Sequence, residues 1–214
     1  MIVPRITLST QESHHLRESR VMKLLHIDSS ILGDQSASRS LTKEIVGRCR
    51  QELPNLAAKH VDLAANELPH LTAGSLAGAD KAQAARNAEM LEDFQAADVI
   101  VIGAPMYNFT IPTQLKAWID RIVIAGKTFR YTESGPQGLA GGKRVVVAIS
   151  RGGFYPENGV GEFAETYLRH VFGFIGITDV TFVRAEGLAV SPESRQKGLT
   201  AALASIPEPD ALAA

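Results

Sequence analysis

Cysteine is almost missing from this chain. Of 214 residues only Cys49 is a cysteine, which excludes an internal disulfide and any zinc site built from several thiolates. That scarcity fits a reducing compartment, and a cytoplasmic location is expected. Cys49 shares a helix face with Leu41, Ile45 and Leu53 and reads as a small core residue, since buried thiols are inert. Charge of either sign is not in excess: the formal net charge is -1, so nothing draws the protein to nucleic acid or to an anionic membrane. With aromatics at 6%, there is no stacking pattern of the RNA-binding kind. No apolar run approaches the roughly 20 residues of a membrane span.

Several catalytic signatures are also missing. There is no phosphate-binding P-loop and no nucleophile elbow. The six histidines (His14, His15, His26, His60, His70, His170) are scattered, without metalloprotease or carboxylate-rich spacing, so no metal site is expected. Gly159-Val160-Gly161-Glu162-Phe163-Ala164 fits the dinucleotide fingerprint in letters only. That fingerprint needs its first glycine directly after a strand of the first βαβ unit, and the preceding strand ends near Ser150. Residues 1–21 lack helical or strand periodicity and the apolar centre of a secretory signal. They are read as a disordered leader or an upstream-start extension, and 22–214 as one domain.

What is present is alternation. Five apolar runs, Lys23–Ile27, Lys59–Leu63, Asp98–Gly103, Arg144–Ser150 and Asp179–Ala185, have the length and β-branched content of strands. The third, over Val99–Ile102, and the fourth, over Val145–Ile149, are apolar throughout, as strands are when helices cover both faces of a parallel sheet. Helical stripes separate them: Leu41 to Leu53, Ala82 to Phe94, Leu115 to Ile122, Phe163 to Phe174, and Pro192 to Ile206 behind the cap Ser191. Such βα repetition implies an α/β, doubly wound five-stranded parallel sheet in the order 2-1-3-4-5, with helices on both faces.

In that architecture a ligand lies beyond the carboxyl ends of the strands, and three loops there are informative. Ser29 to Ser38 puts four serines ahead of a helix whose free N–H groups attract anions. Ser30, Ser36 and Ser38 can donate to a phosphate, Arg39 can add charge, and the plain alternative is one N-cap among solvated serines. Pro105-Met106-Tyr107-Asn108-Phe109 is apolar and aromatic for a connection, suited to a flat ring or to a core or subunit contact. Ser150-Arg151-Gly152-Gly153 has paired glycines that let backbone approach a ligand, or make an ordinary turn.

Together, Ser29-Ser30-Ile31-Leu32, Ser36-x-Ser38, Pro105-Met106-Tyr107-Asn108-Phe109, Ile111-Pro112-x-x-Leu115-Lys116-x-Trp118-Ile119-Asp120, Phe129-x-Tyr131, Ser150-Arg151-Gly152-Gly153 and Gly173-Phe174-Ile175-Gly176 resemble the FMN-dependent NADH-azoreductases. These are relatives of the flavodoxin-like NAD(P)H:quinone reductases. The likeness runs collinearly from Met22 to about Ser205. It implies a flavodoxin-like fold and FMN held at Ser30, Ser36, Ala37 and Ser38 by its phosphate. Pro105 to Phe109 and Ser150 to Gly153 would lie against its ring system. It further implies NADH or NADPH as donor, two-electron ping-pong reduction of quinones and azo compounds, and a homodimer whose active site lies at the interface. Phe109, with Phe129 and Tyr131 from the 125–142 insertion, is then expected at the substrate. Tyr155 is a candidate proton donor. Quinones, needing one two-electron transfer, are expected to be reduced more broadly than azo dyes, which need two. The alternative is a flavodoxin-like electron carrier, against which the lack of net acidity argues.

Overall fold

The computed structural model describes residues 21–53, 55–156 and 161–209. Apart from Val21, the residues read as a leader lie outside them, as do Gly159 and Val160 of the fingerprint-like stretch. The main sheet contains β1 (Lys23–Asp28), β2 (Ala57–Asp62), β3 (Val99–Pro105), β6 (Arg144–Ser150) and β7 (Asp179–Ala185), all parallel. Their order is β2-β1-β3-β6-β7. Counted without the small ribbon of β4 (Phe129–Thr132) and β5 (Gly135–Gly138), this is the order 2-1-3-4-5. The chain switches direction across the sheet at β1 and β3.

Side chains alternate along each strand and separate into two cores. Leu25, Ile27, Ile100, Ile102, Val145, Val147 and Ile149 join Phe94, Leu115, Trp118, Ile122 and Leu168 on one face. These partners come from α3 (Lys81–Ala96), α4 (Thr113–Ile122) and α5 (Ala164–Phe174). Leu24, Val99, Val101, Val146 and Ala148 join Leu41, Ile45, Cys49 and Ala202 on the other, from α1 (Ala37–Glu52) and α6 (Pro192–Ala204). Burial on both faces explains why Val99–Ile102 of β3 and Val145–Ile149 of β6 are apolar without interruption. Each such isoleucine or valine contributes about 1.5–3 kcal/mol of burial free energy.

Cys49 is 1% exposed in the second core, and burial pushes its thiol up to about 11. A one-turn helix, α2 (Ala73–Leu76), with a Thr72/Ser75 capping box, lies in the long connection before α3. Buried Arg121 helps hold that connection, donating to Asn87 Oδ1 (2.9 Å), Ala117 O (2.7 Å) and Pro69 O. No helix among the described residues is long and apolar enough to cross a membrane.

Candidate functional site

The three informative loops converge at the carboxyl ends of β1, β3 and β6, and direct hydrogen bonds join them. Ser29 Oγ donates to Gly103 O at 2.6 Å, tying the end of β1 to β3. The Met106 N–H donates to Ser150 O at 2.8 Å, tying the loop after β3, termed the third loop, to the end of β6. Tyr107 closes the group: its hydroxyl lies 3.3 Å from Ser30 Oγ and accepts the Ile31 N–H at 3.2 Å.

The first loop makes a short 3-10 helix at Gly33–Gln35 and then α1, with Ser36 as N-cap. Ser36 Oγ accepts the Arg39 N–H at 3.3 Å and lies 3.1 Å from Ser38 Oγ. Ser30, Ser36, Ala37 and Ser38 are all buried. The N–H groups of Ala37 and Ser38 have no protein acceptor among the described residues. Unpaired helix N–H groups beside three hydroxyls are the donor set that a phosphate dianion requires. Arg39 belongs elsewhere. Its guanidinium makes a two-pronged pair with Asp62 (2.6 and 2.8 Å) and also donates to Ser30 O. It braces the loop from behind, and the hydrogen bond from Arg39 holds the Asp62 carboxyl down at about 2.

The third loop turns in two residues. Tyr107 and Thr110 exchange backbone hydrogen bonds of 2.9 and 3.2 Å, leaving Asn108 and Phe109 at φ +48° and +71°. This is the left-handed conformation that a two-residue hairpin turn demands. Asparagine tolerates it, whereas phenylalanine is strained there by about 1–3 kcal/mol. In this turn the Phe109 ring is 53% exposed, 6.5 Å from and nearly perpendicular to the half-buried ring of Tyr155. Met106 and Tyr107 are partly buried beneath the turn.

The loop after β6 is fixed by its carbonyl groups. Those of Arg151, Gly152 and Gly153 accept N–H groups from Leu188, Ala189 and Gly187 respectively. Gly187 has φ +69°, and a Cβ there would lie 2.4 Å from the Phe154 ring and 2.5 Å from Ser194 Oγ. Only glycine permits this contact. The N–H groups of Gly152 and Gly153 find no protein acceptor among the described residues, so they are available to a ligand.

Two expected site residues are placed differently. Arg151 is 1% exposed, and its guanidinium donates to Glu162 (2.8 Å), Glu165 (3.2 Å) and Glu186 (2.9 Å). Its N–H is taken by Ala185 O. It anchors the loop from within and offers a ligand neither group. Burial alone would raise the Glu165 carboxyl, but Arg184 and Arg169 more than offset it and hold it below the ordinary carboxylate range. Phe129 is likewise buried, packed on Phe174 with centroids 4.7 Å apart. It is the foot of the β4–β5 ribbon, while Tyr131, 75% exposed, stands at its surface. Parallel register also sets His26 opposite His60, a pairing that their separation in sequence conceals.

The donor set of the first loop and the apolar turn of the third fit a flat ring system carrying a terminal phosphate. Comparisons with known proteins agree. A family model described as a flavodoxin-like fold matches residues 22–208. The chain is 57% identical to FMN-dependent NADH:quinone oxidoreductase 2 of Bradyrhizobium diazoefficiens, covering 85% of this chain and 96% of that protein. It is 52% identical to FMN-dependent NADH:quinone oxidoreductase of Stenotrophomonas maltophilia, covering 87% and 95%. Among solved structures, an FMN-dependent NADH-azoreductase from Bacillus anthracis in complex with FMN superimposes with TM-score 0.77 at 30% identity, covering 90% of this chain and all of that one. The chain belongs to the flavodoxin-like family of FMN-dependent NADH:quinone oxidoreductases.

Proposed function

We propose that the protein is an FMN-dependent NADH:quinone oxidoreductase that also cleaves aromatic azo compounds. The observation that carries the reading is the set of unpaired donors at the start of α1, coupled by Tyr107 to a strained aromatic turn. When bound, FMN supplies hydride acceptance from a nicotinamide and two-electron delivery to an acceptor. Everything else is the work of this chain's residues.

Ser30, Ser36, Ser38 and the N–H groups of Ala37 and Ser38 bind the phosphate and exploit the positive end of the α1 dipole. Pro105, Met106, Tyr107 and Phe109 form a mainly apolar wall that would orient the ring system and exclude water from one side, and Asn108 adds a polar amide beside it. The N–H groups of Gly152 and Gly153 would donate to the bound ring system and favour the negative charge it gains on reduction, as an oxyanion hole does. Ser150 seats this loop on the third one through its carbonyl. Phe109 faces the acceptor. Tyr155, at the rim beside Phe109, is the proton donor to the reduced acceptor. Donor and acceptor occupy the same place in turn, so initial-rate kinetics are ping-pong. Nothing in the described residues singles out a site for a 2′-phosphate, and NADH is the donor carried by the family's name.

The exposed rings of Tyr131, Phe109, Phe154 and Phe163 lie with the ribbon and the site loops, which supports a homodimer. In it, Tyr131 of each ribbon reaches toward the other subunit's acceptor. The expected location is the cytoplasm. Binding is tested by titrating the FMN-free chain with FMN and following quenching of flavin fluorescence. Ser38→Ala should weaken binding about tenfold or more, since hydrogen bonds to charged groups contribute about 1.5–3 kcal/mol. Unchanged affinity would remove the phosphate assignment. A monomer of full activity would remove the dimer.

A further inference from the structure

Among the described residues, one group of three side chains brings metal-ligating atoms together, and the flavin chemistry does not use it. His26 and Asp28 lie two residues apart on β1 and therefore share a face; His60 is opposite His26 on β2. His60 Nε2 lies 3.0 Å and His26 Nε2 3.2 Å from the same oxygen, Asp28 Oδ2. All three ligand atoms fall within 4.8 Å of one another. From this geometry we propose that His26, Asp28 and His60 form a binding site for a divalent transition-metal ion of the Zn2+ class.

Distances support it first. Zinc bonds of about 2.1 Å in a tetrahedral site put neighbouring ligand atoms about 3.4 Å apart, close to the two separations seen here. The second support is a poorly satisfied polar atom. His26 Nε2 is fully buried on a side chain only 12% exposed, and its 3.2 Å contact with Asp28 Oδ2 is not a well-aligned hydrogen bond. The third is how the carboxylate is held. Thr42 Oγ1 donates to Oδ1 at 2.8 Å, which fixes the group and leaves Oδ2 for a cation. Gly103 of β3 makes room: a Cβ there would stand 2.8 Å from Asp28 Oδ1.

Charge decides whether a cation is welcome. The charged groups near the trio are Arg39 from α1, with Nη1 3.9 Å from Asp28 Oδ2, and Asp62 from β2, paired with Arg39. With neutral imidazoles, two carboxylates face one guanidinium, and the cluster keeps one net negative charge. Two imidazole nitrogens and one oxygen suit a borderline ion and not Mg2+, which prefers oxygen ligands. His60, half-exposed at the edge strand, gives the ion its way in. The ion would join edge strand β2 to β1 one residue before Ser29, bracing the base of the phosphate loop.

The test is calorimetric titration of the untagged, FMN-loaded full chain, freed of metal by chelator, with ZnCl2 and separately with MgCl2. The expected result is one Zn2+ per chain, no Mg2+ uptake, and about tenfold weaker Zn2+ binding or more in His60→Asn, by analogy with the loss of supporting groups at metal sites. A His14→Ala/His15→Ala variant should bind as the wild type does, showing that the adjacent N-terminal imidazoles are not the source. Co2+ should give the visible bands of a tetrahedral site in the wild type and not in His60→Asn. Absence of Zn2+ uptake by the wild type would overturn the proposal. Equal uptake by His60→Asn, or loss of uptake in the His14/His15 variant, would overturn it equally.

Discussion

The hydroxyl of Tyr107 lies 3.3 Å from Ser30 Oγ, joining the loop after β3 to the loop after β1 across 77 residues of sequence. The same oxygen accepts the Ile31 N–H. On the proposed reading, this fastens a residue of the ring-facing wall to the phosphate cradle and couples the two halves of the site. Tyr107→Phe removes that link while keeping the ring. Net hydrogen bonds contribute about 1 kcal/mol, so FMN affinity should fall about fivefold with the fold intact. Fluorescence titration and circular dichroism read the two effects separately.

Arg151 carries a different load. Its buried guanidinium balances Glu162, Glu165 and Glu186, and removing one partner of a buried ionic cluster costs about 3–5 kcal/mol. For a domain of this size, Arg151→Met should lower Tm by on the order of 10 °C. FMN affinity should fall with it, because the Gly152–Gly153 backbone loses its seat. Differential scanning calorimetry with and without FMN checks both. An unchanged Tm would mean that the cluster is stabilising nothing.

The Arg39–Asp62 pair predicts a pH effect whose sign follows from the depressed carboxyl. Asp62 titrates at about 2 in the fold, mainly through its hydrogen bond from Arg39, against roughly 3.9 in the unfolded chain. The pair's contribution is therefore complete above about pH 4 and is lost as pH falls through 2. Arg39→Met should be less stable than the wild type at neutral pH, and the difference should shrink in acid. Urea unfolding at several pH values between 2 and 7 measures it.

Phe109 occupies a left-handed turn position that suits glycine better. Phe109→Gly should keep the Tyr107–Thr110 turn and relieve about 1–3 kcal/mol of strain. It should also remove a ring from the acceptor's side, so KM for quinones rises while FMN binding holds. Steady-state kinetics with a benzoquinone give the answer, and an unchanged KM would separate the strain from acceptor binding.

Much of this was legible in the residues. Arg144–Ser150 and Asp179–Ala185 read as strands with their observed limits, because each is a short β-branched run bounded by turn residues. Strand β2 was harder. It begins at Ala57, two residues before the expected start, because pairing with Lys23 and Leu24 of β1, and not the weak strand preference of two alanines, sets its beginning. The β4–β5 ribbon was not legible at all, since Gly135-Pro136-Gln137-Gly138 is poor strand material and is held by its antiparallel partner. At the site, loop identities came from local composition, whereas side-chain partners depend on distant residues. Arg39 reads as a phosphate partner because Asp62, 23 positions on, is not local. Arg151 and Phe129 read as ligand and substrate residues because their partners, buried Glu162 and Glu165 and partly buried Glu186 and Phe174, meet them only in three dimensions.

The most direct test of the account is the visible absorbance of the purified protein, followed without oxygen as NADH and then a simple benzoquinone are added. The account predicts the bands of oxidised flavin, bleached by NADH and restored by the quinone in a stoichiometric second step. A coloured protein that NADH leaves unchanged would point to an electron carrier. A colourless chain that takes up no added FMN would contradict the reading of all three loops.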